Sequence, residues 1–265
     1  MTFSFNPQQI NQSVSKAGEL LVKLSRDPAQ RRPILKEDGS PVTPSDKIIS
    51  DLLYEQLSPH FPVICEERPP HLLPKDAQTY FLIDPLDGTK YYSQNEKEFA
   101  ICVGLIRDGK PYYGAIYDPN NETLLWAVQG QGAYWGETAL SPLKPPVGGA
   151  RVFSSGFHKR PEAQSFVQAL QAHEIREMGS ALKFCEMARG HMDLYIRFGP
   201  TSEWDTAAAQ AILNEVGMEV IEVATFKPLL YGKKDFLNKG TVAGHKDLLP
   251  HVVELIQDHQ LRRTK

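Results

Sequence analysis

The sequence predicts an α/β protein whose N-terminal half is α+β. Three observations predict it. Helical patterns open the chain, a strand-rich run fills residues 60–135, and helix and strand patterns alternate from about 151 to 260. Between the last two lies Leu143-Lys144-Pro145-Pro146-Val147-Gly148-Gly149, the best linker candidate, which divides the chain into 1–145 and 146–265. At 265 residues and 41% hydrophobic content the chain makes one large domain or two small ones. A chain of this size buries roughly 70–75% of the surface it exposes when unfolded.

In residues 7–26, Val14, Ala17, Leu20, Leu21 and Leu24 share one helical face, and Pro7 is tolerated in the first turn. A polar loop follows, through Pro33 to Lys36-Glu37-Asp38-Gly39-Ser40. Thr43-Pro44-Ser45-Asp46 then starts a second helix: Thr43 is the N-cap, Pro44 the first helical residue and Asp46 a first-turn acid. Its apolar face is Ile48, Ile49, Leu52, Leu53 and Leu57. Short strands are predicted at 61–65, 80–83, 99–106, 112–117 and 123–128, with Asp108-Gly109 as a hairpin turn. Beyond the linker, strands are predicted at 151–154, 173–178, 192–196 and 218–223, and helices at 161–172, 181–189, 205–216 and 246–260. No internal repeat is visible.

Composition removes several function classes. With 29 basic and 32 acidic side chains the formal net charge is -3, which excludes binding of a nucleic acid polymer through bulk positive charge. Cys65, Cys102 and Cys185 lie far apart in apolar runs, without CxxC spacing, and are expected reduced and buried. No secretory signal and no membrane-length apolar run is visible, so a reducing, cytoplasmic compartment is expected.

The most informative segment is Asp84-Pro85-Leu86-Asp87-Gly88-Thr89, directly after an apolar strand. Pro85 and Gly88 predict a tight turn that aims two carboxylates and a backbone carbonyl at one point, the all-oxygen environment that hard divalent cations require. A bare pair of Asp residues is more often a solvated turn. Glu66-Glu67 ends the preceding strand, and Asp205 of Trp204-Asp205-Thr206-Ala207-Ala208 opens a small-residue helix as its N-cap or first-turn acid. Each is ordinary alone; their joint occurrence, in this order, is not.

These three segments resemble the signatures of the inositol monophosphatase superfamily of magnesium-dependent, lithium-sensitive phosphatases, over about residues 10–240. Ser40-Pro41-Val42-Thr43, Gly179-Ser180-Ala181-Leu182-Lys183-Phe184-Cys185 and Tyr195-Ile196-Arg197-Phe198-Gly199-Pro200-Thr201 are similar to its CysQ-type 3'(2'),5'-bisphosphate nucleotidase branch. The resemblance implies a layered αβαβα sandwich with the site between its halves. It implies metal ligands at Glu66, Asp84, the Leu86 carbonyl, Asp87 and Asp205, holding two to three Mg²⁺ ions, with Mn²⁺ as a substitute. Glu67 is the poorer ligand. The catalytic set implied is Asp46, Thr89 and Glu66, with Asp46 and Thr89 as the carboxylate–hydroxyl dyad that takes a proton from water. For Asp46, capping and catalysis are compatible.

On the substrate side, the backbone of Gly88 and Thr89 would meet the scissile phosphate, beside Asp205. Ser180 and Lys183, one helical turn apart at a helix N-terminus, would hold a second phosphate, with His158 and Arg197 as further candidates. Arg197 has an equal alternative as an ion-pair partner of Glu203 or Asp193. Lys36 would hold an anionic group, or be solvated. The implied reaction converts adenosine 3',5'-bisphosphate to adenosine 5'-monophosphate and phosphate. 3'-Phosphoadenosine 5'-phosphosulfate stays open as a second substrate, and peripheral contact with the inner membrane face is also left open. The rivals are inositol monophosphatase or fructose 1,6-bisphosphatase activity on the same fold, and an inactive nucleotide-binding scaffold. With the five site acids (Asp46, Glu66, Asp84, Asp87 and Asp205) set aside, the rest of the chain carries a formal charge of +2.

Overall fold

The computed structural model describes residues 5–74, 76–154 and 164–258. Helix α1 (Pro7–Leu24) starts where the Asn6 side chain accepts the Gln8 and Gln9 N–H groups. The loop after it holds a small antiparallel pair, β1 (Ile34–Leu35) and β2 (Pro41–Val42). Helix α2 (Pro44–Leu57) opens with the expected cap, here a reciprocal one: Thr43 accepts the Asp46 N–H, and the Asp46 carboxylate accepts the Thr43 N–H.

Strand β3 (Val63–Cys65) pairs in parallel with β4 (Thr79–Asp87), and the short helix α3 (Thr89–Ser93) follows. An antiparallel meander comes next: β5 (Ala100–Arg107), β6 (Lys110–Asp118), β7 (Thr123–Val128), β8 (Ala133–Trp135) and β9 (Thr138–Ala139). The β5–β6 turn is Asp108-Gly109, with φ of 50° and 73° as a two-residue hairpin with mirror-image twist requires. These seven strands form one sheet in chain order.

Residues 143–149 contain no helix or strand. The second sheet then begins with β10 (Arg151–Ser154). The chain continues through α4 (Gln164–Ala169), β11 (Glu174–Arg176), α5 (Leu182–Ala188), β12 (Leu194–Arg197) and the two-residue β13 (Thr201–Ser202), which pairs outside this sheet with Leu237–Asn238. The helix expected over 205–216 is split: a 3-10 turn spans Glu203–Asp205 and α6 runs Ala207–Glu215. Strand β14 (Met218–Glu222), β15 (Leu237–Asn238), β16 (Thr241–His245) and α7 (Leu249–Asp258) complete the order. The second sheet runs β11-β10-β12-β16-β14. Its first three strands are parallel, as alternation predicts, but β16 is antiparallel to both neighbours. The predicted alternation had omitted β16.

Alternate residues of the strands sort into separate cores. Phe81, Ile83, Ile101, Val103, Tyr113 and Ala115 face α1 and α2. Tyr80, Leu82, Cys102 and Ile116 face α5 and α6, which also receive Phe153, Tyr195, Val220 and Ala243 from the second sheet. Val152, Leu194, Ile196, Ile221 and Val242 face α4 and α7. The period-2 alternation of a strand thus makes both faces of both sheets apolar, and the layers are αβαβα.

Helix α6 sits unusually close to the first sheet. A Cβ on Gly114 of β6 would fall 2.2 Å from the Ala208 carbonyl oxygen, and one on Gly104 of β5 2.6 Å from the Ala207 Cβ. Small residues on both elements allow this approach, and it carries Asp205, just before α6, to the end of β4. Gly114→Ala is therefore expected to destabilise the protein by about 1–3 kcal/mol in denaturant unfolding, because the obstructing atom is backbone and cannot swing away. An unchanged midpoint would show that α6 does not need this contact.

Candidate active site

The site is assembled from the ends of four elements. Strand β4 pairs regularly with β5 up to Asp84↔Cys102, and pairing resumes at Asp87↔Ala100. Two residues, Pro85 and Leu86, therefore oppose one. Pro85 has no N–H to give the ladder, which suits a bulge. The expected tight turn after the strand is thus a bulge within it, and the Leu86 N–H donates to Asp84 Oδ1 at 2.9 Å. Gly88 then turns the chain at φ 98°, where a Cβ would meet the Glu98 carbonyl oxygen at 2.3 Å. From the other half, Asp205 precedes α6 rather than starting it, and its Oδ2 accepts the Ser202 N–H at 2.9 Å.

One carboxylate oxygen from each of Asp84, Asp87 and Asp205 lies within 4.8 Å of the others. Burial pushes all three carboxyls above the usual carboxylate range, and mutual repulsion adds to it for Asp84 and Asp205, with Glu66 contributing to each. Lys183 works against the rise at Asp87 and Asp205. None of the three forms an ion pair among the described residues. Three carboxylates grouped this closely, Asp84 buried and Asp87 and Asp205 half-buried, fit a hard divalent ion.

Glu66 stands at the end of β3, its N–H donating to the Ile83 carbonyl at 3.0 Å. Its carboxylate meets Lys36 Nζ at 2.8 Å, and the Glu67 carboxylate meets the same ammonium at 2.5 Å. Lys36 is thus neither solvated nor waiting for a substrate anion here: it neutralises two neighbouring acids. Burial opposes its charge, but the two glutamates outweigh that and raise its pKa. Glu67 is not a solvated side chain either. Burial pushes its carboxyl up to about 7, with Lys36 opposing and Glu66 reinforcing the shift.

Thr89 Oγ1 donates to Asp46 Oδ1 at 2.9 Å and also lies 3.0 Å from the Leu86 carbonyl oxygen. The other Asp46 oxygen accepts the Thr43 N–H at 2.7 Å and the Thr43 hydroxyl at 2.5 Å. Asp46 is 1% exposed, and burial raises its pKa against these hydrogen bonds. The Leu86 carbonyl keeps a second lone pair for a ligand.

A cavity of about 570 Å³ opens beside Asp87 and Asp205, and Gly88, Ser180, Lys183 and Arg197 line it. Sequence reasoning missed Tyr91, Glu98, Tyr195 and Thr201 on its walls. Of these, only Tyr195 and Thr201 lie in a segment that drew attention. Helix α5 starts at Leu182, so Ser180 precedes it, at φ 51°, and the expected helical spacing to Lys183 does not arise. Instead Lys183 Nζ donates to the Ser180 carbonyl and lies 5.2 Å from the Tyr195 ring centroid. The alternative pairing of Arg197 is not formed: Asp193 is bound by Arg151 at 2.7 Å and Glu203 by Lys233 at 3.2 Å. The Arg197 Nε donates to the Pro200 carbonyl at 3.2 Å. His158 lies outside the described residues. The three cysteines are free and buried, and no described helix is long and apolar enough to cross a membrane.

Clustered carboxylates, an ammonium and a guanidinium group lining one cavity fit a polyanion and a hard cation. The sequence pattern of the inositol monophosphatase family matches residues 8–261, and the chain belongs to that family. Its members are generally metal-dependent. Over 245 residues the chain is 36% identical to the 3'(2'),5'-bisphosphate nucleotidase CysQ of Salmonella typhimurium, covering 88% of this chain and 97% of that protein. The crystal structure of CysQ from Bacteroides thetaiotaomicron aligns with a TM-score of 0.73 at 30% identity, over 90% of this chain and 96% of that one. Inositol monophosphatase-II from Staphylococcus aureus aligns with a TM-score of 0.79 at 25% identity, over 96% of each chain.

The raised carboxyls have a sign that can be checked. A carboxyl whose pKa is higher folded than unfolded binds its proton more tightly in the fold, so its contribution to stability falls as pH rises past the ordinary Asp value of about 3.9. Without metal, Asp205→Asn is expected to raise the unfolding free energy at pH 8, by an amount on the order of 1 kcal/mol, and much less at pH 5. A variant no more stable than the parent at pH 8 in chelator would show that the carboxylates do not repel one another.

Proposed function

We propose that this chain is a Mg²⁺-dependent 3'(2'),5'-bisphosphate nucleotidase that converts adenosine 3',5'-bisphosphate to adenosine 5'-monophosphate and phosphate. The observation that carries the reading is one cavity lined both by Asp87 and Asp205 and by Lys183 and Arg197: a bisphosphate has one anionic group for the carboxylate-metal site and one for the two cations. The 36% identity to CysQ nucleotidases along nearly their whole length supports the same substrate class. 3'-Phosphoadenosine 5'-phosphosulfate fits the same logic as a second substrate.

In this reading Glu66, Asp84, the Leu86 carbonyl, Asp87 and Asp205 hold two to three Mg²⁺ ions, with Mn²⁺ as a substitute. When bound, these ions supply Lewis acidity, lowering the pKa of water and neutralising charge on phosphate and leaving oxygens. Thr89 donates its hydroxyl hydrogen to Asp46 at 2.9 Å, which leaves its oxygen lone pairs to accept a hydrogen from the attacking water. The water gives a proton to the Thr89–Asp46 dyad as its oxygen bonds to phosphorus, the bond from phosphorus to the ribose 3'-oxygen breaks, and that oxygen takes up a proton from solvent, to which the dyad returns its own. Backbone N–H groups of Gly88 and Thr89 receive the scissile phosphate, while Ser180, Lys183 and Arg197 receive the other one. Asp46, Glu66, Asp84, Asp87 and Thr89 come from residues 1–145, and Asp205 and the nucleotide side from 146–265. A cytoplasmic setting accords with three free, buried cysteines.

Phosphate release from adenosine 3',5'-bisphosphate, inositol 1-phosphate and fructose 1,6-bisphosphate, with and without Mg²⁺ and Li⁺, tests the substrate. The nucleotide is expected to be hydrolysed fastest, only with Mg²⁺, and with inhibition by Li⁺. A rate on the nucleotide no higher than on inositol 1-phosphate would overturn the choice. Thr89→Ala is expected to lower kcat by about 10²–10⁴-fold with little change in KM. Full turnover in that variant would remove the dyad from the mechanism.

A further inference from the structure

The segment after Glu66 turns at Pro69-Pro70 and brings His71 back to the end of β3. Its Nε2 lies 3.0 Å from the Cys65 carbonyl oxygen and 3.1 Å from that of Glu66. Both partners are carbonyls, which only accept, so Nε2 carries the hydrogen and shares it between them. The imidazole also packs on Trp204, centroid to centroid 4.8 Å at 54°, with Phe236 at 6.3 Å beyond.

Trp204 is 8% exposed and immediately precedes Asp205. It is firmly seated, because the adjacent Glu203 is fully buried and accepts the Gly232 N–H at 2.8 Å and the Lys233 N–H at 3.0 Å. His71 therefore touches the backbone of one metal-ligand candidate and the neighbour of another. Glu66 is the carboxylate ligand candidate that stands outside the 4.8 Å cluster of Asp84, Asp87 and Asp205. On its other side the Glu66 backbone is fixed by the hydrogen bond to Ile83.

We propose that His71 is a positioning residue that sets the Glu66 arm of the metal site against the Asp205 arm. The inference rests on the reading of Glu66 and Asp205 as metal ligands. The imidazole suits the task because it is rigid and offers a donor at one end and a flat face to Trp204. Phe keeps the face and loses the donor; Gln keeps a donor at nearly the same reach.

The test is direct Mn²⁺ binding by the full chain, followed by electron paramagnetic resonance, alongside the Mg²⁺ concentration for half-maximal activity. His71→Phe is expected to weaken Mn²⁺ binding and raise that Mg²⁺ concentration about tenfold, with a smaller fall in kcat at saturating Mg²⁺. His71→Gln is expected to recover most of the loss. Should His71→Phe fail to fold by circular dichroism, His71→Leu carries the same expectation. Parent-like Mn²⁺ affinity in the donor-less variant, or an equal loss in His71→Gln, would overturn the positioning role while leaving the metal site intact. A parent protein that binds no Mn²⁺ would instead overturn the metal reading and this inference together.

Discussion

The repulsion among Asp84, Asp87 and Asp205 is the constraint on which the rest of this structure depends. Two unit charges about 4 Å apart repel by roughly 4 kcal/mol at an effective dielectric of 20. A domain is stable by only about 5–15 kcal/mol, so three ionised carboxylates within 4.8 Å are not a neutral feature. Each is held by the fold where it does not relax away: Asp84 by a strand bulge, Asp87 by the resumed pairing with Ala100, and Asp205 by the Ser202 N–H. Protonation or a cation must answer the repulsion. The fold concentrates charge at one point, and that point borders the cavity.

The layered architecture makes this concentration possible. Asp84 and Asp87 come from the first sheet, and Asp205 from the turn before α6. Only the close seating of α6 on Gly104 and Gly114 brings them together. A similar economy joins cap and chemistry at Asp46. Its one oxygen closes the α2 capping box and its other accepts the Thr89 hydroxyl, so helix start and the proposed proton relay share a side chain. Lys36 shows a milder form of charge management, with one ammonium serving two glutamates.

Features governed by local chemistry were legible in the sequence. The α2 cap needed only Thr43, Pro44 and Asp46, the hairpin only Asp108-Gly109, and the DPLDGT segment displays Asp84 and Asp87 as a pair; that Asp205 joins them was implied by the family resemblance. Features governed by distant partners were not. Strand β16 is five buried residues with Ala243 and Gly244 in it, too small and too short to read as a strand until β12 and β14 flank it. The bulge at Pro85 and Leu86 depends on register with β5, which a single strand does not display. Asp205 falls in a 3-10 turn because its carboxylate closes back on Ser202, an option no different in sequence from an ordinary helix cap. Tyr91 and Glu98 reach the cavity only through the short α3 and the chain after it, and His71 matters only because Trp204 lies across from it.

Burial raises the pKa values of the Asp84, Asp87 and Asp205 carboxyls in the metal-free protein, so binding of a divalent ion is expected to displace protons. The most direct measurement is calorimetric titration of the metal-free protein with Mg²⁺ in buffers of different ionisation enthalpy, which counts protons released on binding. Proton release at pH 7 that diminishes as pH rises toward 9 is expected. Mg²⁺ binding with no proton release at pH 7, or no Mg²⁺ binding at all, would contradict it.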